Sequence, residues 1–135
     1  MDEKWVLQWF NDVWSNANST KLQELATDPF HFHVPGGKSY LLSHTEYLNF
    51  ITVWGQRFRE VSFRIIDTIK DENKTVVVYQ CHALYCGGWA KIPAKKQKVM
   101  MTGMAYFKHH GDKIVDCRLE DSSFDLYQQL TRRLE

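Results

Sequence analysis

The chain has 135 residues, enough for one domain of ordinary size and too few for two. With 44% apolar and 24% charged residues its composition is that of a globular protein, and 17 Lys+Arg against 16 Asp+Glu leave a net charge of +1, without the basic excess of a nucleic-acid binder. The unusual quantity is 5 Trp, 6 Tyr and 8 Phe beside only 7 Gly and 3 Pro, which points to a thick core or a lined cavity.

Residues 2–17 place Trp5, Val6, Trp9, Phe10, Val13, Trp14 and Ala17 three and four apart, one broad apolar face of a helix. Asn18-Ser19-Thr20 offers an N-cap to a short second helix over 21–26, which ends before Asp28-Pro29. Residues 30–34 alternate with period two and stop at Pro35-Gly36-Gly37, a strand and a turn. Ser43 caps a third helix whose Tyr47, Phe50, Ile51 and Trp54 share a face. Beyond Gly55 the period changes. Val61, Phe63 and Ile65 alternate with polar residues, Asp71-Glu72-Asn73-Lys74 makes a turn, and residues 75–85 are β-branched and aromatic. A lysine-rich connection over 91–98 leads to a strand over 99–107, His109-His110-Gly111-Asp112 turns the chain into a strand over 114–119, and Asp121-Ser122-Ser123 caps a closing helix carrying Leu126, Leu130 and Leu134. Helices first and strands after is the α+β class, with a curved antiparallel sheet and helices packed on its concave face. Apolar residues occur on both parities of 75–85 and 99–107, so each sheet face needs a cover. A partner subunit is the simplest cover for the outer one.

The acidic start, Met1-Asp2-Glu3, lacks the apolar run of a signal peptide, no segment reaches 18 apolar residues, and three cysteines without Cys-x-x-Cys spacing read as small buried hydrophobes. A cytoplasmic protein that touches no membrane is the expectation. On the last strand, Val115, Cys117 and Leu119 point one way and the next residue of that parity is Asp121, so a carboxylate continues the buried face. It is either the N-cap of the last helix or an acid/base group at a pocket mouth, and the two roles are compatible.

Pro93-Ala94-Lys95-Lys96, Gly103, the run from Gly111-Asp112-Lys113-Ile114 to Asp121, and Gln128-Gln129-Leu130 resemble the SnoaL-like polyketide cyclases of the nuclear transport factor 2-like superfamily, over nearly the whole chain. The resemblance implies a cone-shaped α+β barrel over residues 1–135, an apolar pocket and a homodimer; ketosteroid isomerase, scytalone dehydratase and limonene epoxide hydrolase are similar to it. Carried over by position, the acid/base aspartate of the family matches Asp121. The family often has Gly-Thr-His near the end of the third strand, and the nearest histidine here is His82, which is otherwise a group hydrogen-bonded on a sheet face.

The candidate ligand-binding residues are Trp14, His33, Trp54, Tyr85 and Tyr106, each of which also reads as packing or, for His33, as a half-exposed strand residue. His31-x-His33 lacks a third ligand of definite spacing, His109-His110 reads as a solvated turn, and the lysines of 91–98 read as a solvated connection; no metal or cofactor is expected. Two functions remain open: a module that binds a small, mostly apolar molecule in an aromatic-lined pocket, or an isomerase, cyclase or dehydratase with Asp121 as its acid/base group.

Overall fold

A computed structural model of the chain describes residues 3–131; Leu134 of the expected last helix lies outside them. The first helix, α1 (Lys4–Gln8), runs without a break into a π-helical turn, Trp9–Trp14, closed by the Ser15 N–H donating to the Phe10 carbonyl at 3.1 Å. In a pure α-helix of about 3.6 residues per turn, a stripe repeating every four residues drifts by about 40° per step. The wider π turn rotates it back. Two rows therefore face the same way, Trp5, Trp9, Val13 and Val6, Phe10, Trp14, all buried.

Helix α2 (Ser19–Leu25) starts at the Asn18 cap, whose side chain accepts from the Lys21 N–H, and leads directly into β1 (Ala26–His33). A short strand β2 (Ser39–Leu42), mostly exposed, pairs with β1 across the Pro-Gly-Gly turn; its lack of a buried face is why no strand pattern announces it. Helix α3 (His44–Arg57) begins in the expected place, with Ser43 and Glu46 forming a reciprocal capping box. Then come β3 (Phe58–Asp71), β4 (Lys74–Tyr85), β5 (Lys98–His110), β6 (Lys113–Asp121) and α4 (Ser123–Thr131).

The six strands form one sheet in the order β2-β1-β6-β5-β4-β3. It is α+β, as the order of elements requires, but the sheet is mixed and unclosed instead of purely antiparallel and barrel-like: β1 lies parallel to β6, with Phe32 opposite Cys117. That pair joins segments more than half the chain apart, and no local pattern encodes it. The helical stripe and α3 cover the concave face. Trp9, 1% exposed, makes edge contacts with Phe30 of β1 and Phe107 of β5 and a tilted one with Tyr47 of α3. No helix among the described residues is long and apolar enough to cross a membrane.

Before Gly103, residues 98–102 of β5 extend beyond the end of β6 and leave a free edge, which α4 closes. The Gln129 side chain accepts from the Met100 N–H at 3.0 Å and donates to the Met100 carbonyl at 2.8 Å, standing in for a neighbouring strand. Ser122 serves Thr102 likewise, its hydroxyl accepting from the Thr102 N–H and its own backbone N–H donating to the Thr102 carbonyl, both at 2.9 Å. A register shift between Lys108 and His109 leaves Val115 as an extra residue, so Ile114, and not Val115, joins Cys117 and Leu119 on the buried side.

One histidine expected in solvent is buried. Strand β5 continues to His110, which turns His109 inward beneath Trp5, ring centroids 4.8 Å apart, with neither ring nitrogen hydrogen-bonded. Burial, reinforced by the charge of Lys70, lowers its pKa below the ordinary value. The unfolded chain then binds a proton that the folded chain refuses, so stability is lost as the pH falls through about 6.5. Urea melts at pH 7.5 and 5.0 are expected to show a larger acid-side loss for the native chain than for His109→Phe; equal losses would rule out this origin.

Candidate functional site

The π turn, α3 and the concave face of the sheet wall a cavity of about 90 Å³. The π turn supplies Trp9, Phe10 and Trp14, α3 supplies Phe50 and Trp54, and the inner faces of β3 to β6 supply Phe63, Tyr79, Cys81, Met101, Ala105, Cys117 and Leu119. Trp14 and Trp54 meet edge to face, centroids 5.6 Å apart at 87°, and fix the corner between the two helical segments. Asp121 ends the row that begins with Cys117 and Leu119.

The polar groups of the wall are few. Tyr79 packs between Phe10 and Phe63, centroids at 5.0 and 6.0 Å, and lies across Gly103, its partner on β5. A Cβ on Gly103 would overlap the Tyr79 phenol and meet the Glu120 carbonyl oxygen at 2.9 Å, so the glycine is what lets the ring lie flat. Gly103 in turn faces Asp121 on β6, which brings the Tyr79 hydroxyl toward that carboxylate. Burial first, and the Asp121 charge second, push the phenol pKa far above its usual value, so Tyr79 stays a hydrogen-bond donor. Burial likewise holds the Cys117 thiol up and lifts Cys81 to about 12; neither is a thiolate at neutral pH.

Asp121 stands at the rim. It is solvent-exposed, without the burial that a carboxylate inside the pocket would have, because β6 ends there. Its Oδ1 accepts from the Ser123 hydroxyl, and α4 begins beyond it.

Trp54, Met101 and Asp121 also line a vestibule of about 440 Å³, whose outer walls are Trp89, Ile92, Leu126, Tyr127 and Leu130. The cavity alone is smaller than the ~150 Å³ that holds a benzene-sized guest, whereas cavity and vestibule together reach the roughly 300–1,000 Å³ of small-molecule sites.

Of the residues singled out from the sequence, Trp14, Trp54 and Asp121 meet at this cavity. Four do not. Tyr85 is 1% exposed and structural: its hydroxyl donates to the Ile92 carbonyl at 2.7 Å and accepts from the Trp89 N–H at 3.3 Å, and its ring stacks on Trp89. It holds the loop that walls the vestibule. Tyr106 and His82 have the outward parity of β5 and β4, opposite to the inward Ala105, Phe107, Cys81 and Ala83, so neither reaches the cavity. His33 lies on the outer side of β1, its Nδ1 2.6 Å from the Ser39 hydroxyl and its Nε2 3.2 Å from Asp116 Oδ2. Cys86, read as a buried hydrophobe, is only half-buried. The group the sequence reading missed is Tyr79. Its signals are the shared parity with Cys81 and an isolated glycine within the strand pattern of β5.

The chain matches the SnoaL-like domain family over residues 6–117. No curated protein matches it by sequence. Among solved structures it is similar to a proposed SnoaL-like polyketide cyclase from Jannaschia sp. CCS1 (14% identity, TM-score 0.85, 97% of this chain and 92% of that one). It is also similar to a proposed polyketide cyclase from Acidithiobacillus ferrooxidans (17%, 0.85, 99% and 100%). A third is a Catenulispora acidiphila protein of ketosteroid isomerase-like fold in complex with trimethylamine (11%, 0.75, 96% and 94%). At these identities the likeness concerns the fold alone.

Gly103→Ala is expected to lower stability by about 2 kcal/mol, and Tyr79→Leu in the same chain to restore part of it. Denaturant melts of the two variants check this; a Gly103→Ala chain as stable as the native one would mean that the ring has room elsewhere.

Proposed function

Since the chain belongs to the SnoaL-like domain family, we propose that it binds a small, mostly apolar molecule, its head in the inner cavity and its remainder in the vestibule. The observation that carries this reading is the wall itself: rings and aliphatic groups on every side, with Tyr79 and Asp121 as its oxygen-bearing side chains. Three tryptophans in the wall make binding visible as a change in indole fluorescence. Methyl decanoate, whose alkyl head is slim enough for the small cavity, is expected to bind saturably, and Ala105→Leu, which fills the cavity from β5, to weaken it roughly tenfold while circular dichroism stays native. Binding unchanged by Ala105→Leu would place the ligand elsewhere.

A second reading is favoured by the pairing of Tyr79 with Asp121. A carboxylate with access to water beside a phenol that stays protonated can take a proton from a carbon next to a carbonyl while the phenol donates to the developing oxyanion. Isomerase, cyclase and dehydratase chemistry share that step. Its check is exchange of the α-protons of 2-tetralone in D₂O, followed by NMR: the native chain should exceed buffer, and Asp121→Asn should lose at least about 10²-fold of the excess with binding retained. No excess over buffer counts against catalysis and leaves the binding reading in place.

The outer sheet face supports a homodimer. Ile69, Val76 and Tyr106 lie side by side across β3, β4 and β5, with Val78 beside Met104, and the helices cover the other face. Ile69 and Met104 are 58% and 57% exposed. Light scattering at micromolar concentration is expected to give a dimer that Met104→Glu dissociates; a monomeric native chain would end this proposal.

A further inference from the structure

The vestibule does not end at Trp89. Its outer residues Ile92 and Leu130 also line an open groove of about 800 Å³, bordered by Lys91, Lys95, Lys96 and Lys98. The three depressions adjoin one another: cavity and vestibule share Trp54, Met101 and Asp121, and vestibule and groove share Ile92 and Leu130. All four lysines are exposed, and among the described residues none is paired with a carboxylate. In a chain of net charge +1 this is a local concentration of positive charge, and among the described residues of its lining none is acidic.

The loop is held in shape. Gln97 accepts from the Lys95 N–H at 2.7 Å and donates to the Pro93 carbonyl at 3.1 Å, and Tyr85 holds Ile92. Arg57 lies over the Trp89 ring, 4.8 Å from its centroid, and steadies this wall of the vestibule. The other depression that touches the cavity, through Phe32 and Phe50, is bordered by Glu46 and carries no cation.

From this path we infer that the ligand is amphipathic: an apolar head seated in the cavity, a linker through the vestibule, and an anionic end, a carboxylate or phosphate, held by the lysine loop. The inference rests on the reading of the cavity as a ligand site. Charge sets the orientation. Asp121 at the inner junction repels an anion from the cavity, and the lysines outside attract it. Exposed pairs of this kind each contribute little, so the anion adjusts affinity while the apolar wall carries it.

The experiment is a fluorescence titration with pentanoate, dodecanoate, tetradecanoate and their methyl esters, whose slim alkyl heads suit the small cavity, on the native chain and on the Lys95→Gln/Lys96→Gln variant. The two long acids should bind roughly three- to tenfold more tightly than their esters, and the short acid should not. The advantage should fall at high salt and in the variant, whose affinity for the esters stays unchanged. Long acids that bind no better than esters, an advantage that survives the variant, or an equal advantage for the short acid would overturn the inference and leave the apolar site standing. Failure of acids and esters alike to bind a natively folded chain would remove the cavity reading and this inference with it. Inorganic phosphate as competitor separates the two anion classes: competition at millimolar concentration points to a phosphate end, and its absence to a carboxylate.

Discussion

Trp9 meets three elements that are far apart in the chain. Its ring touches Phe30 on β1, Tyr47 on α3 and Phe107 on β5, and it is 1% exposed. A bent sheet presents a hollow that flat aliphatic packing would leave partly empty, and large rings in edge-to-face contact fill it at little entropic cost. The π turn serves that requirement, because it keeps Trp9, Phe10, Val13 and Trp14 on one side where an α-helix would rotate them away. The inner cavity is what remains where Trp14, Trp54 and Phe63 do not close against the sheet.

The same hollow explains how few polar groups the site has. A buried hydroxyl or carboxylate must be partnered or stay near water. Tyr79 and Asp121 sit near that boundary, one lying flat on Gly103, which Asp121 faces from β6, the other ending its strand in solvent. Catalytic and binding readings use the same two residues. They differ in whether a proton moves.

Much of the architecture is legible in the sequence. The stripe from Trp5 to Trp14, the Ser43 cap and the Asp71-to-Lys74 turn each have a local physical cause, and each stands where the pattern places it, whereas Ala17, expected on the same helical face, falls beyond the helix at a positive φ. Parity along 75–85 puts Cys81 and Tyr79 on one face, but apolar residues of both parities hide which face is inner, so Tyr106 and His82 read as pocket groups although they face out. Tyr85 does belong to a buried face, yet it contacts no cavity, because its partners, Ile92 and Trp89, come from a loop whose path no periodicity describes. His109 is misplaced by the length of a turn: two more residues of strand carry it into the core.

By itself the sequence determined the α+β class, the order of the elements, the near-neutral charge and the wealth of rings, since these follow from composition and from contacts among neighbours in the chain. Tertiary structure alone decided the parallel pairing of β1 with β6, the closing of the β5 edge by Gln129, the alignment of Tyr79 and Asp121 on either side of Gly103, and the adjacency of cavity, vestibule and lysine loop. Each of these joins positions tens of residues apart. Their proximity is set by the curvature and register of the sheet as a whole, which no single segment encodes.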